Sequence, residues 1–572
     1  MRARFDFLAD GEPVLFQAPS AVLIARTVDE VSRVMAAADQ ALRDGNYVAG
    51  WVAYEAGPAF DSALVTQPPG DVPLVCFGVY AEKQQAPPLD PPARMASRLT
   101  WTPALTAPQH AAGVAAIREA IAAGETYQIN YTFRLHANPW TFGPLDPLYA
   151  SLASAERVPY AAFLETDDWS VLSLSPELFF ERDGQQLVTK PMKGTAPRGR
   201  WSAEDRARAE ALRTSEKNRA ENVMIVDLCR NDLTRVCRGG TVRATSMFDV
   251  QRYPTVWQMV SSVEGELETG VELTDIFGAL FPAGSITGAP KSSSMRLIAG
   301  LEHAPRGVYC GAIGYASPHG RATFNVAIRT MTVQRATGRA EYGVGGGITW
   351  DSTAPDEHAE AMQKAACLEV RPPFSLIETL RWEHGTHVRL DAHLARLEES
   401  ADYFGFAFDE RIVRAALSSD AQGALRVRLE LAVDGAASVV LSPLDITPEA
   451  PTFALASSPV NSSNRWLFQK TTRREVYDHH KAAHPDVFDV LLWNERSELT
   501  EFTRGNVVLE LEGRKVTPPR TCGLLGGVFR QELLDSGQIV EAVVLVSDLS
   551  RASRVWFVNS LREWVEVYFR PS

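Results

Sequence analysis

Apolar strand-like runs and amphipathic helices follow one another in this chain without a steady β–α alternation. That irregular order limits the fold more than any other feature. Parallel sheets need regular crossovers, so the pattern implies an α+β architecture with large antiparallel sheets. Val28, Val31, Met35, Ala38 and Leu42 recur at helical spacing with Gly45 as a stop, and Val114, Ile117 and Ile121 repeat the pattern before Gly124. Tyr127–Phe133 alternates like a strand, and short apolar strands recur through 160–190, 308–316 and 322–333. Residues 83–108, rich in Pro, Ala and Gln, read as a surface loop. Near residue 370 the texture changes. Leu-Glu-Val-Arg-Pro-Pro (368–373) reads as a linker, followed by a strand (374–382) and a helix with Leu390, Leu394 and Leu397 on one face. The expected organisation is a domain over 1–368, a linker at 369–373 and a second domain over 374–572.

The chain has 572 residues, enough for three or four domains of ordinary size. Lys+Arg is 57 and Asp+Glu is 70, a net charge of −13 with no basic run. Such a chain does not bind nucleic acid or anionic lipid by bulk charge, so any anion it takes needs locally placed cations. No stretch reaches the ~18 apolar residues of a membrane span, and charges within the opening residues interrupt what would be a signal peptide's apolar core. The cysteines (Cys76, Cys229, Cys237, Cys310, Cys367 and Cys522) form no CxxC pair and read as reduced thiols of a cytosolic protein. Lysine is scarce beside arginine, which a nucleotide-composition bias explains. The scarcity still singles out each lysine, because a neutral Lys, unlike Arg, can act as a nucleophile.

Between 120 and 365 several segments carry chemistry. Ser-Pro-Glu-Leu-Phe (175–179) ends an apolar strand in a carboxylate, Glu177. Lys-Pro-Met-Lys-Gly-Thr (190–195) sets Lys193 beside a glycine, where a ligand can approach the backbone closely. Residues 220–228 are an apolar helical run with Glu221 near its start. Taken singly these are a solvated cap, a turn and a helix. Phe281–Lys291 is a Gly-rich loop opening a helix near Pro290; its free N–H groups suit a carboxylate or phosphate, or an ordinary cap. After Gly343–Ser352 come Glu357, Glu360 and Lys364 on one helical face. Two carboxylates there suit Mg2+, and equally a solvated face with a Glu360–Lys364 pair.

In combination, and in this order over about residues 110–366, these motifs resemble the chorismate-utilising enzymes: anthranilate synthase large subunit, aminodeoxychorismate synthase component I, and isochorismate and salicylate synthases. Tyr54–Ala56 resembles the amino-terminal part of the aminodeoxychorismate branch. The resemblance implies a large two-layer α/β sandwich with a deep cleft, Mg2+ and chorismate. By motif position Glu221, Glu357 and Glu360 would hold the metal directly or through water. Arg329, Tyr315, Gly345 and Lys364 would hold the ring carboxylate, and Gly288, Ala289 and Thr195 would line the pocket. Members that add water at ring carbon 2 carry a Lys base where this chain has Gln128, which leaves Gln128 as a substrate contact and disfavours isochorismate and salicylate synthesis. Anthranilate synthases typically have Ala where Lys193 stands; aminodeoxychorismate synthases have Lys. The resemblance therefore implies covalent catalysis by Lys193 with Glu177 as general acid. The chain departs from the family at Gln258, where many relatives have His, and at Asn218, where relatives often have an acidic residue. It has no Gly-x-Cys-x-Gly nucleophile motif, so ammonia is expected free or from a separate glutamine amidotransferase subunit.

Farther on, Phe468–Tyr477 places Lys470 after an apolar segment, Glu498–Val507 follows, and Gly523–Arg530 is a glycine turn opening a helix. Arg396 sits in His-Leu-Ala-Arg-Leu, where alone it reads as a surface residue. Together these resemble the fold-type IV pyridoxal phosphate enzymes, which implies a smaller α+β domain that binds pyridoxal 5'-phosphate. The resemblance implies Lys470 as the Schiff-base lysine, Arg396 on the phosphate, and Glu501 facing the pyridine nitrogen with Asn506 in support. The amides of Val528 and Phe529, with Ser560, would cradle the phosphate; relatives often have Thr at the Phe529 position. A homodimer through this domain is compatible with the resemblance. The joint expectation is a cytosolic bifunctional enzyme making 4-aminobenzoate, a folate precursor. It would aminate chorismate to 4-amino-4-deoxychorismate and then eliminate pyruvate. The rivals are anthranilate synthase component I fused to a branched-chain or D-amino-acid aminotransferase-like domain, and a non-catalytic scaffold retaining both folds.

Overall fold

The computed structural model describes residues 1–8, 11–91, 100–137, 144–368, 373–418 and 422–570. The chain forms two compact units, fewer than its length allows: residues 1–197 with 209–372, and residues 373–572 with 198–208. The main change of unit lies between residues 372 and 373, and 369–372 of the expected linker lie outside the described residues. Segment 198–208, expected in the first domain, belongs instead to the second unit. The reason is local: the buried Arg198 guanidinium, paired with Asp205, donates to the Tyr403 carbonyl at 2.7 Å.

The first unit contains two ten-stranded sheets with antiparallel pairing, as the irregular element order requires. In one, Arg2–Phe7, Tyr160–Glu165, Trp169–Ser175, Thr330–Gln334, Arg339–Ile348 and Gln128–Ala137 lie side by side. In the other, the order runs Tyr47–Val52, Ala312–Ala316, Arg321–Val326, Leu178–Asp183, Gln186–Lys190, Val256–Glu266 and Met192–Pro197. Phe5, Phe16 and Val171 of the first sheet meet Trp51, Cys76 and Ile313 of the second in one buried core. Helices cover the other faces: Val28–Arg43, Glu216–Thr234 and Leu273–Leu280 on one sheet, Asp146–Glu156 and Ala354–Lys364 on the other. This is the expected α/β sandwich of two helix-backed layers.

Two of the places where the chain passes between the sheets are linked to each other. Pro176 and Glu177 join Trp169–Ser175 to Leu178–Asp183, and residues 327–329 join Arg321–Val326 to Thr330–Gln334. The two crossings bond to each other. The Val326 N–H donates to the Glu177 carbonyl, and the Leu174 N–H to the Arg329 carbonyl, both at 3.0 Å. Arg329 adopts a positive φ of 49° at its crossing.

A buried network braces this unit. Arg306 donates to both Glu302 carboxylate oxygens and to the carbonyls of Ile286 and Asn130, and its guanidinium lies 4.4 Å from the Tyr54 ring centre. The Glu55 carboxylate accepts from the Arg306 and Gly307 amides at 2.6 and 2.9 Å. Burial nevertheless pushes Glu55 up to about 7. The Tyr54–Ala56 motif is thus a structural tie.

The second unit pairs a four-stranded sheet with a nine-stranded mixed sheet. The expected helix, Leu390–Phe404, sets Leu394, Leu397 and Ala401 against Leu380, Val427 and Leu429. No described helix is long and apolar enough to cross a membrane, and all six cysteines are free and buried.

Replacing Arg306 with Leu leaves the buried Glu302 carboxylate without its ion-pair partner, held only by the Thr132 amide and hydroxyl. It should cost about 3–5 kcal/mol in chemical unfolding of the first unit; a loss below about 1 kcal/mol would show that the network does not brace it.

Candidate functional site

Both crossings open onto a cavity of about 350 Å3 in the first unit, lined by Glu177 and Arg329 among others. Lys193 enters from the strand Met192–Pro197. Register along its partner strand shifts between Met192 and Thr195, a bulge in which Gly194 takes φ 103°. Asn222 Nδ2 donates to the Lys193 carbonyl, and Ser261 Oγ to Asn222 Oδ1, which fixes the bulge. The Lys193 amine lies 3.9 Å from Glu221 Oε2. Burial lowers its pKa, opposed by Glu221 and assisted by Lys364.

Gly347 makes room for this amine. A Cβ on Gly347 would fall 2.1 Å from Lys193 Nζ and 2.9 Å from Gln128 Nε2. Gln128 is fully buried, and neither end of its side-chain amide has a protein partner among the described residues. A buried amide left unpaired is costly, and Gln128, expected as a substrate contact, lies beside Lys193 but is not itself among the residues that line the cavity.

Burial pushes Glu177 up to about 7, against the Ser285 hydroxyl, the Met192 amide and the charge of Lys193. Thr195 donates to Gln258 Oε1 at 3.0 Å, so the residue standing where relatives have His is engaged as an acceptor. Asn218 Nδ2 donates to Ser215 Oγ at 2.9 Å. The Arg329 guanidinium makes no ion pair among the described residues.

Glu221, Glu357 and Glu360 all line the cavity, but no three carboxylate, His or Cys groups converge as metal ligands among the described residues. Glu360 pairs with Lys364 at 2.9 Å, and this cation lowers its pKa. Glu357 accepts from Ser352 Oγ at 2.6 Å, and burial raises it. Lys364 also donates to the Gly345 carbonyl at 2.8 Å. Glu357 and Glu360 share one helical face, and Mg2+ takes one or two carboxylates while keeping waters, so the donor set fits that ion.

Gln128 apart, three further sequence-based expectations need correcting. Tyr315 does not line the cavity; its strand turns it into the aromatic core, 5.1 Å from Phe5 and 5.4 Å from Phe16 between ring centres. Gly288 and Ala289 are not lining residues either. They form a short strand against Ile129 and Gln128, where a Cβ on Gly288 would fall 2.1 Å from the Gln128 carbonyl. The loop contributes Ser285 and Ile286 to the cavity instead. Sequence reasoning missed Tyr309, Tyr342, Asn130 and Lys217. Lys217 left a signal, a rare lysine four residues before Glu221 on one helix; the tyrosines, on core elements, left none.

In the second unit Arg396 is held by Glu378, through Nε to Oε1 at 2.8 Å and Nη2 to Oε2 at 2.6 Å, and donates from Nη1 to the Gly526 carbonyl at 3.1 Å. Burial would raise Glu378, but Arg396 and His393 overcome it and hold the carboxylate well below its usual range. That anchors Arg396 at the turn opening helix Val528–Asp535, whose first turn has no side-chain cap. Glu501 accepts from Tyr477 Oη at 2.8 Å, the Leu525 amide at 3.1 Å and Asn506 Nδ2 at 3.4 Å; burial pushes it up to about 8. Burial also pushes Lys470 down to about 8, and Arg396, Glu378, Arg474 and Glu501 all act on it. The amine, the anchored Arg, the uncapped amides of Val528 and Phe529 and the supported Glu fit pyridoxal phosphate. The Phe529 side chain packs under Arg389. Ser560 is buried after strand Arg554–Asn559 and makes no side-chain hydrogen bond among the described residues.

A family profile described as chorismate binding enzyme matches residues 3–369, well over half the chain, and the chain belongs to that family. A second profile, amino-transferase class IV, matches residues 375–568, a fold that implies pyridoxal phosphate. Both resemblances read from sequence are borne out. Aminodeoxychorismate synthase component 1 of Bacillus subtilis is 39% identical over 267 residues, 46% of this chain and 55% of that protein. Anthranilate synthase component 1 of Streptomyces coelicolor is 40% identical over 269 residues, 47% and 52% respectively. The chain spans about half the length of these curated relatives. The crystal structure of anthranilate synthase component I from Streptococcus pneumoniae aligns with a TM-score of 0.53 at 25% identity, over 64% of this chain and 92% of that one.

Gly347→Ala forces the Lys193 amine to move. Peptide mass spectrometry should find Lys193 modified by an amine-specific reagent at a rate changed by at least about 5-fold, with exposed Lys83 unchanged. An unchanged rate would mean the amine does not rest against residue 347.

Proposed function

We propose that the first unit aminates chorismate to 4-amino-4-deoxychorismate and that the second eliminates pyruvate from it to give 4-aminobenzoate. The observation that carries this reading is Lys193, a buried amine held in the cavity beside an unpaired Gln128. Overall identity does not separate the aminodeoxychorismate branch from the anthranilate branch, since the two relatives above are about equally similar. A primary amine at this position does, because only it offers a second nucleophile. Gln128 cannot serve as the base for adding water at ring carbon 2.

Chorismate carries two carboxylates. Arg329, Lys217 and Lys364 are the cations that line the cavity to meet them, which answers the overall charge of −13. Mg2+, held by Glu357 and Glu360 with Glu221 directly or through water, would neutralise charge on the bound substrate. The neutral Lys193 amine attacks ring carbon 2. Both double bonds of the ring diene shift along the ring, and the carbon 4 hydroxyl leaves as water with the proton of Glu177. Ammonia then attacks carbon 4, both double bonds shift back, Lys193 leaves carbon 2 as the free amine, and the proton shed by the new carbon 4 ammonium returns to Glu177. One difficult substitution becomes two easier ones. Gln258 has no titrating proton, so Glu177, poised near 7, carries the acid role alone.

Pyridoxal phosphate in the second unit would supply an electron sink. Arg396 and the Val528 and Phe529 amides would bind its phosphate, and Glu501 would face its ring nitrogen. Lys470 would remove the proton at ring carbon 4 of the substrate as pyruvate departs and the ring becomes aromatic. Consecutive chemistry in one chain favours this reading over a transaminase. A separate glutamine amidotransferase is the proposed ammonia source, in keeping with the component 1 names of the relatives. The cytosol, where the six free thiols stay reduced, is the proposed compartment.

Product analysis decides the branch. Chorismate, Mg2+ and ammonia should give 4-amino-4-deoxychorismate, and 4-aminobenzoate once pyridoxal phosphate is added; ortho-aminobenzoate would refute the assignment. Lys193→Ala should slow amination at least ~10^3-fold while supplied 4-amino-4-deoxychorismate is still converted; equal loss of both activities would contradict separate sites. At fixed NH3 concentration, amination should fall as pH rises through about 7, where Glu177 loses its proton. Glu177→Gln should be slower by about 10^2-fold and lack that limb.

A further inference from the structure

We propose that Arg198–Arg208 is a working part of the second unit, in which Trp201 and Arg200 position Lys470. The proposal rests on reading Lys470 as the cofactor lysine. The segment is a built element. The Arg198 guanidinium is nearly enclosed, with Asp205 on Nε and Nη2, the Tyr403 carbonyl on Nη2 and the Tyr403 ring centre 4.6 Å away. Tyr403 Oη donates back to the Gly199 carbonyl at 2.6 Å, and the Gly199 amide donates to Asp205 at 2.7 Å. A Cβ on Gly199 would fall 2.2 Å from the Asp205 nitrogen, so the turn is shut around its ion pair. Arg200 and Arg208 both bind Glu204, which fixes the following helical turn.

This rigid turn presents two groups to the residues just before Lys470. The Trp201 ring lies on Phe468, with centres 5.2 Å apart and planes inclined by 31°, at the edge of a core that holds Leu467 and Tyr477. The Arg200 guanidinium lies 4.7 Å from the Trp201 ring centre and 5.3 Å from that of Phe468, and it donates to the Ser462 carbonyl at 3.3 Å. Gln469 is buried with both ends held: Oε1 accepts from Ser400 Oγ at 3.0 Å, and Nε2 reaches the Arg200 carbonyl at 3.5 Å. Beyond Lys470, its own carbonyl accepts from the Ile377 amide at 2.9 Å. Lys470 is thus clamped on one side by the sheet and on the other by Phe468 and Gln469, which lean on residues borrowed from within the first half of the sequence. An aromatic pair of this kind contributes beyond its buried area, and a lost support of ~1 Å at a catalytic lysine is felt strongly.

The test uses the full chain carrying Trp201→Ala or Trp201→Phe, loaded with pyridoxal phosphate. The readouts are the cofactor dissociation constant, the pH midpoint of its visible absorbance and the rate of chorismate amination. Trp201→Ala should weaken cofactor binding about 10-fold and move the midpoint by at least about half a pH unit, with amination unchanged. Trp201→Phe, which keeps the stack, should match the unsubstituted protein. The inference is overturned if Trp201→Ala also matches it, or if both variants are equally altered or equally unfolded. If the unsubstituted protein takes up no pyridoxal phosphate, the cofactor reading itself fails and this inference falls with it.

Discussion

Two hydrogen bonds between sheet crossings hold the first unit's chemistry in place. Each crossing is a short connection that takes the chain from one sheet to the other. Alone, either would be free to settle at several registers. Because the Val326 amide reaches the Glu177 carbonyl and the Leu174 amide reaches the Arg329 carbonyl, neither crossing can slide without breaking the other. A cationic Arg329 and a partly protonated Glu177 are thereby fixed at one cavity, on backbone whose position two packed sheets determine. The Arg306 network extends the same logic to the far wall, since its guanidinium ties the carbonyl of Asn130 to that of Ile286. Rigid framing of this kind is what a reaction with no room for misalignment requires.

Much of this was legible in sequence, and the reasons for the failures are specific. Helix Val28–Arg43, strand Gln128–Ala137 and helix Ala354–Lys364 follow from local period and caps. The roles of Lys193 and Glu357 rest on motif order, and both side chains reach the cavity. Tyr315 failed because whether a strand residue faces a core or a cavity depends on the packing of the opposite sheet, which one sequence does not display. Gly288 failed for a different reason. Its glycine serves close backbone approach to Gln128, and a need for space reads the same whether the neighbour is a ligand or a strand. Segment 198–208 was placed in the wrong unit because linear composition cannot register an excursion of eleven residues whose partners lie two hundred positions away.

The same electrostatic device operates in both units. Lys193 and Lys470 are buried among charges of both signs, and in each case burial is the largest influence and drives the amine toward its neutral form. A neighbouring carboxylate, Glu221 for Lys193 and Glu378 for Lys470, limits that shift. The result is an amine that can be held at a defined point and still shed its proton. Glu177 and Glu501 are the mirror case, acids raised by the same loss of water. One physical cause would thus prepare both the proposed nucleophile and the proposed acid of the first unit, with no need for a histidine at position 258.

The scarcity of lysine sharpens this picture. A chain that writes most of its cations as arginine satisfies solvated surface and planar carboxylate partners equally well. Of the nine lysines, Lys193, Lys217 and Lys364 line the one cavity and Lys470 stands in the second site. Lys291 makes a buried pair with Asp232, where a compact ammonium fits and also reaches the Leu280 carbonyl. Lys515, over the rings of Trp556 and Trp564, is the counterexample, since arginine would stack there at least as well. A composition bias explains why lysines are few. It does not explain why four of the nine stand at the two sites. A guanidinium is too broad for the bulge at 193, where Nζ rests against Gly347, and too basic for Lys470 to give up a proton.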